Sequence, residues 1–93
     1  MAIIGNTIRL KAEFYGVDGE AVSPATAVLR FFDYRKVQMG EDIILTDDHK
    51  LDPNVFAYNY TVPDGVGDIF YEFSAVINGY PILSRGKITR EWV

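Results

Sequence analysis

The chain has no cysteine, a single histidine and a single tryptophan in 93 residues. Without cysteine, neither a disulfide framework nor a thiolate metal site can form. With only His49 available as a base, serine catalysis would have to bring it to Ser23, Ser74 or Ser84, and none of these sits in a Gly-x-Ser-x-Gly turn. No positive excess exists either. Nine Lys plus Arg face thirteen Asp plus Glu, a net charge of −4, and the longest basic run is Arg35-Lys36. Nucleic-acid binding requires a clustered positive stripe, so no nucleic-acid partner is expected. Apolar runs are far below membrane-spanning length, and Met1-Ala2-Ile3-Ile4-Gly5-Asn6 lacks the charged and apolar regions of a signal peptide. The expectation is a chain that is neither membrane-embedded nor exported by that route.

What is present is apolar and aromatic. Hydrophobic residues make up 48% of the chain, and six Phe, six Tyr and one Trp make up 14%. That is enough to fold without staples, though a chain of this length buries only about 64% of its unfolded surface. One domain spanning 1–93 with a thin core is expected.

The periodicity is that of strands. Ile8, Leu10, Ala12 and Phe14 alternate with Arg9, Lys11, Glu13 and Tyr15, which predicts a strand with one wet face. Asp18-Gly19 marks a turn. After Ser23-Pro24, Ala27, Leu29 and Phe31 point one way and Val28, Arg30 and Phe32 the other, so this strand carries apolar residues on both faces. Residues 33–42 read as a polar loop or a poorly ordered edge, 43–46 as a short apolar strand, and 47–54 as a loop. Alternation returns with Phe56, Tyr58, Tyr60 and Val62, and Pro63-Asp64-Gly65 ends it.

The last third predicts a hairpin. Ile69 to Ile77 and Tyr80 to Ile88 flank Asn78-Gly79, a pair suited to the two positive-φ positions of a type I′ turn. Tyr71, Phe73, Ala75 and Ile77 share one face, leaving Phe70 and Val76 on the other. Pro81 lacks a ladder donor and places the returning strand at a sheet edge. No segment sustains a helical repeat, so no glycine-rich loop precedes a helix and no phosphate-bearing cofactor is expected. Six or seven strands separated by turns predict an all-β antiparallel sandwich or small barrel.

Three parts of the chain, in this order, carry a resemblance: Thr7-Ile8-Arg9-Leu10-Lys11-Ala12-Glu13-Phe14; Asp18-Gly19-Glu20-Ala21-Val22; and Phe56-Ala57-Tyr58-Asn59-Tyr60-Thr61-Val62-Pro63, leading through Gly67 to Ile69-Phe70-Tyr71-Glu72-Phe73. This order resembles immunoglobulin-like domains of the macroglobulin and bacterial Ig-like type. The opening Gly5-Asn6-Thr7-Ile8-Arg9-Leu10 is similar to small Ig-like proteins of tailed bacteriophages and prophages, encoded near head and head–tail joining genes. The resemblance implies an Ig-like β-sandwich of about seven strands and a structural, non-enzymatic role, in a virion or the bacterial cytoplasm. A stand-alone bacterial Ig-like protein is another reading. Fold analogy alone does not assign function.

Chemistry-bearing clusters are sparse. His49 beside Asp47, Asp48, Lys50 and Asp52 reads as a solvated loop, because a transition-metal site needs three or four converging ligands. Asp47, Asp48, Asp52 and Asn54 lack the alternate-acid-then-glycine pattern of a calcium loop. Asp64 and Asp68 flank turns, where acids favour the conformation. No metal, cofactor or catalytic residue is expected.

The outward apolar residues are more informative. Val28, Phe32, Phe70 and Val76, with Arg30 between the first two and Trp92 as an anchor, are the candidate contact residues for a protein partner or a second copy of the chain. Against this stand two plainer readings. The 33–42 loop or the tail bearing Trp92 covers Phe32 and Phe70, or the exposures are isolated and carry no meaning. The competing class is a carbohydrate- or cell-surface-binding module using Tyr34, His49 and Tyr80.

Overall fold

A computed structural model describes residues 2–92 as nine strands and one turn of 3₁₀ helix, and among these residues there is no α-helix. In chain order the strands are β1 (Ala2–Ile3), β2 (Thr7–Glu13), β3 (Ala27–Phe32), β4 (Gln38–Leu45), β5 (Lys50–Asp52), β6 (Val55–Thr61), β7 (Ile69–Ile77), β8 (Tyr80–Ile88) and β9 (Arg90–Glu91). The 3₁₀ turn is Asp47–His49. The protein is all-β, with a three-stranded sheet ordered β2-β6-β5, a four-stranded sheet ordered β4-β3-β7-β8, and a two-stranded parallel pair of β1 with β9. Every pairing within the two larger sheets is antiparallel.

Both larger sheets contribute to one buried cluster. Leu10, Ala12 and Phe56 come from the three-stranded sheet, and Ala27, Leu29, Phe31, Leu45, Ile69, Phe73, Ala75 and Ile88 from the four-stranded one. Phe31 stacks on Tyr60 with ring centroids 4.0 Å apart, so an aromatic pair bridges the sheets at one end. Phe14, just past β2, meets Phe56 edge-on at 5.8 Å at the other. No buried side-chain polar atom among the described residues lacks a partner. The exposed area is 5863 Å². A compact protein of this mass would expose about 5,400 Å². The excess matches an elongated body of 42 × 25 × 22 Å.

Turn chemistry follows the sequence. Asn78 and Gly79 have φ of 51° and 81°, the pair of positive values that a two-residue hairpin needs. Pro81 lies on β8, an edge of the four-stranded sheet. The loop between β6 and β7 is held by Arg90, whose guanidinium donates to four carbonyls: Gly67 at 2.9 Å, Pro63 at 3.3 Å, Asp64 at 3.1 Å and Val66 at 2.7 Å. A side chain at Gly65, where φ is 144°, would collide with that guanidinium.

Two expectations are corrected. Of the two readings of residues 33–42, a loop throughout does not hold and an edge does from Gln38: Asp33 nucleates a tight turn, its carboxylate accepting from the backbone N–H of Arg35 and Val37 at 2.8 and 3.0 Å, and β4, an edge strand, follows. Those amide contacts, Val37 first, hold the Asp33 pKa below the usual carboxylate range. Likewise, the 47–54 loop contains β5, which pairs with β6 through Lys50 and Asp52.

Candidate functional site

Strand register decides which outward residues become neighbours, because paired residues put their side chains on the same face of a sheet. The outer face of the four-stranded sheet consists of three rows crossing the strands. The first is aromatic. Phe32 pairs with Gln38 on one side and Phe70 on the other, and Phe70 pairs with Lys87. Both Phe side chains are half-buried, and the Lys36 ammonium lies 4.2 Å above the Phe70 ring. Lys36 reaches that position because it occupies a left-handed conformation, φ 66°, in the tight turn after Asp33. The Lys36 ammonium therefore lies over one ring of the aromatic row, beside a depression lined by Phe32, Lys36, Phe70 and Tyr71.

The second row is charged. Arg30 pairs with Glu72, which pairs with Arg85. Continuing the Leu29–Ile43 register sets Asp42 opposite Arg30, and a two-residue excess in β4 between Met39 and Ile43 separates this from the Phe31–Met39 pairing. Arg30 grips Asp42 with two bonds, Nε to Oδ1 at 3.0 Å and Nη2 to Oδ2 at 3.1 Å, and approaches Glu72 at 3.5 Å. Arg85 Nε donates to the other Glu72 oxygen at 2.8 Å, and Gln38 donates to Asp42 at 2.7 Å. The bond from Arg30 is the main reason the Asp42 carboxyl sits below its ordinary pKa, and the Arg30 guanidinium is raised in turn by Asp42. Across the sheet the charges alternate: Asp42, Arg30, Glu72, Arg85.

The third row is apolar and open. Val28 pairs with Ile44 and with Ser74, and Ser74 pairs with Leu83. Two residues further along, Val76 pairs with Pro81. Ile44, Val76 and Leu83 are 57%, 67% and 46% exposed, and Pro81 is exposed as well. A shallow depression runs alongside, lined by Pro24, Ala25, Val28, Ser74 and Val76. Four strands thus bring five apolar side chains to one end of one face, and nothing among the described residues covers them.

The six candidate contact residues are divided by this geometry. Val28 and Val76 belong to the open apolar end, Arg30 to the ion-paired row, and Phe32 and Phe70 to the row beneath Lys36. Phe32 and Phe70 are half-buried, as Val28 is, and line a shallow depression with Lys36 and Tyr71. Trp92 is 82% exposed and follows β9, so β8 separates it by its whole length from the Val76–Pro81 pair. It neither covers the phenylalanines nor joins the apolar end. Ile44 and Leu83 are exposed apolar residues of this face that the sequence-based set lacks. The signal was present in Ile43-Ile44-Leu45 and Ile82-Leu83, where consecutive apolar residues force one of them outward.

The other clusters stay apart. His49 Nδ1 accepts from the Thr46 backbone N–H at 3.2 Å and its ring lies against Tyr58. Tyr34 packs beside Gly67, and Tyr80 sits at the β7–β8 hairpin. The three line no common groove. No group of three or more His, Asp or Glu residues among those described is placed to hold a metal ion. Asp64 accepts from the Gly65 amide, while Asp68 approaches Lys87 at 3.8 Å. Compared with known proteins, the chain matches no protein-family model, no curated protein and no solved structure.

Proposed function

We propose that this chain is a non-enzymatic, immunoglobulin-like contact module that docks protein through the outer face of its four-stranded sheet. Assigning β2 to β8 in order as strands B, C, C′, D, E, F and G reproduces the B-E-D and C′-C-F-G orders of an Ig-like sandwich, which supports the finer fold reading. The observation that carries the function is the open apolar end formed by Val28, Ile44, Val76, Pro81 and Leu83. A contiguous apolar surface on a small protein marks an interaction site. The charged row beside it supplies orientation.

The setting we propose, a small component of a tailed-phage or prophage particle, follows from the resemblance of the Gly5-Asn6-Thr7-Ile8-Arg9-Leu10 opening and the order of parts behind it. The test is incorporation. Purified particles from a host carrying the gene should contain the chain at fixed stoichiometry, and a Val76→Asp, Leu83→Ser double variant that folds normally should be absent from them. Full incorporation of that variant would remove the apolar end from the function, and particles free of the wild-type chain would remove the virion setting.

A further inference from the structure

The charged row has a symmetry property that points to one occupant for this face. Across the strands its signs run minus, plus, minus, plus: Asp42 on β4, Arg30 on β3, Glu72 on β7 and Arg85 on β8. A second copy turned face-down about a two-fold axis parallel to the strands reverses this order. Asp42 then faces the second copy's Arg85, and Arg30 faces its Glu72, so all four contacts are between opposite charges. The same operation sets Ile44 over Leu83 and Val28 over Ser74 in the apolar row. A two-fold axis across the strands does the opposite. It puts Asp42 on Asp42 and Arg30 on Arg30, and lays the apolar row over the aromatic one. We infer that this face is a self-complementary surface on which a second copy of the chain docks with its strands roughly aligned, as in face-to-face sheet packing.

This rests on the reading of the face as a docking surface and names its partner. The four charges sum to zero and are already ion-paired within each copy, so docking adds no unpaired charge and the row chiefly selects one orientation. Lys36 lies over Phe70, so the footprint is taken over the charged and apolar rows. Four strands wide and some six residues long, that footprint is roughly 400 Å² per copy. A stable complex buries about 800 Å² per partner, so a contact of this size makes a weak, reversible dimer.

The experiment is a charge swap read by sedimentation. Asp42→Lys and Arg85→Glu each place like charges opposite one another in a self-dimer, but a mixture of the two restores opposite charges at both positions. Wild type should dimerise below about 2 mM, each variant alone should bind itself at least tenfold more weakly, and the equimolar mixture should recover dimer. A wild-type chain that is monomeric at about 2 mM overturns the second copy as occupant while leaving capture of another protein by this face to its own test. Variants that dimerise like wild type, or a mixture that stays monomeric, overturn the orientation. Because the chain has no cysteine, a second measurement works even if a charge variant folds poorly. Exposed Ile44→Cys and Leu83→Cys, mixed, should oxidise to a cross-linked heterodimer far faster than either alone, and equal rates would contradict the arrangement.

Discussion

The two outer faces of this protein are built on the same strand geometry and finished differently. On the three-stranded sheet, Thr7 meets Thr61 hydroxyl to hydroxyl at 2.8 Å, Arg9 donates to Asn59 at 3.3 Å, and Lys11 and Glu13 complete a polar, exposed ladder. On the four-stranded sheet, an aromatic row lies under a lysine, a charged row alternates in sign, and the apolar end is bare. The first face is mostly polar, with Leu51 on β5 as its exposed apolar exception. The second exposes side chains that gain by leaving water, at about 25 cal/mol per Å² of apolar surface covered. One face is finished mostly in polar groups; the other leaves a cluster of apolar groups in water.

The largest test breaks both faces at once. Phe31→Ala removes the ring that stacks on Tyr60 between the sheets and should cost about 3–5 kcal/mol. For a domain this small that is a large share of total stability, and a denaturant titration should show much of the protein unfolded at modest urea. Less severe is Arg90→Ala, which removes four charge-assisted bonds from the 63–67 loop and should cost about 2 kcal/mol. Arg90→Lys should recover only part of that, because one ammonium cannot match the planar fork. Neither outer face includes Arg90, so association corrected for unfolding should not change.

The comparison itself is sharpened by a matched pair. Leu83→Ser on the four-stranded face and Thr61→Ser on the three-stranded face should each shift stability by within about 0.5 kcal/mol, since both are surface changes. Only Leu83→Ser should weaken docking, by fivefold or more in a sedimentation series. Equal effects on docking would erase the distinction between the faces.

The smallest effect is with pH. Asp33 and Asp42, in the turn and row beside β3, both have pKa values lowered in the folded protein, by backbone amides and by Arg30 respectively. The unfolded chain therefore binds protons more readily, and the contribution of these groups is complete above the ordinary carboxylate value of about 4 and lost as pH falls below it. Unfolding midpoints in urea from pH 6 to 2.5 should decline in that window. Arg30→Met, which removes the main cause of the Asp42 shift, should flatten the decline.

Much of the fold was readable because period-two alternation and turn residues are local. Leu10 inward with Arg9 and Lys11 outward, and Asn78-Gly79 at the hairpin, required no knowledge of partners. The presence of apolar residues on both faces of β3 and β7 was readable for the same reason. Their grouping was not. Alternation places Phe32, Arg30 and Val28 on one face, but only register reveals that Glu72 and Arg85 line up with Arg30 and that Asp42, opposite Arg30 in the Leu29–Ile43 register, completes the row. Which residue of the 33–42 stretch reaches Phe70 was hidden, as was the Arg90 clasp, one arising from a positive-φ turn and the other from main-chain carbonyls that no side-chain pattern records. β5 escaped notice because Lys-Leu-Asp is too short to show a period.

The account stands on the claim that docking uses the apolar end of the four-stranded sheet. Backbone amide and methyl NMR shifts followed from dilute to millimolar protein test it directly. Val28, Ile44, Val76 and Leu83 should move together along one binding curve while Thr7, Arg9, Lys11 and Asn59 stay fixed. Shifts centred on the polar ladder, or none on either face up to the solubility limit with particle partners also absent, would contradict it.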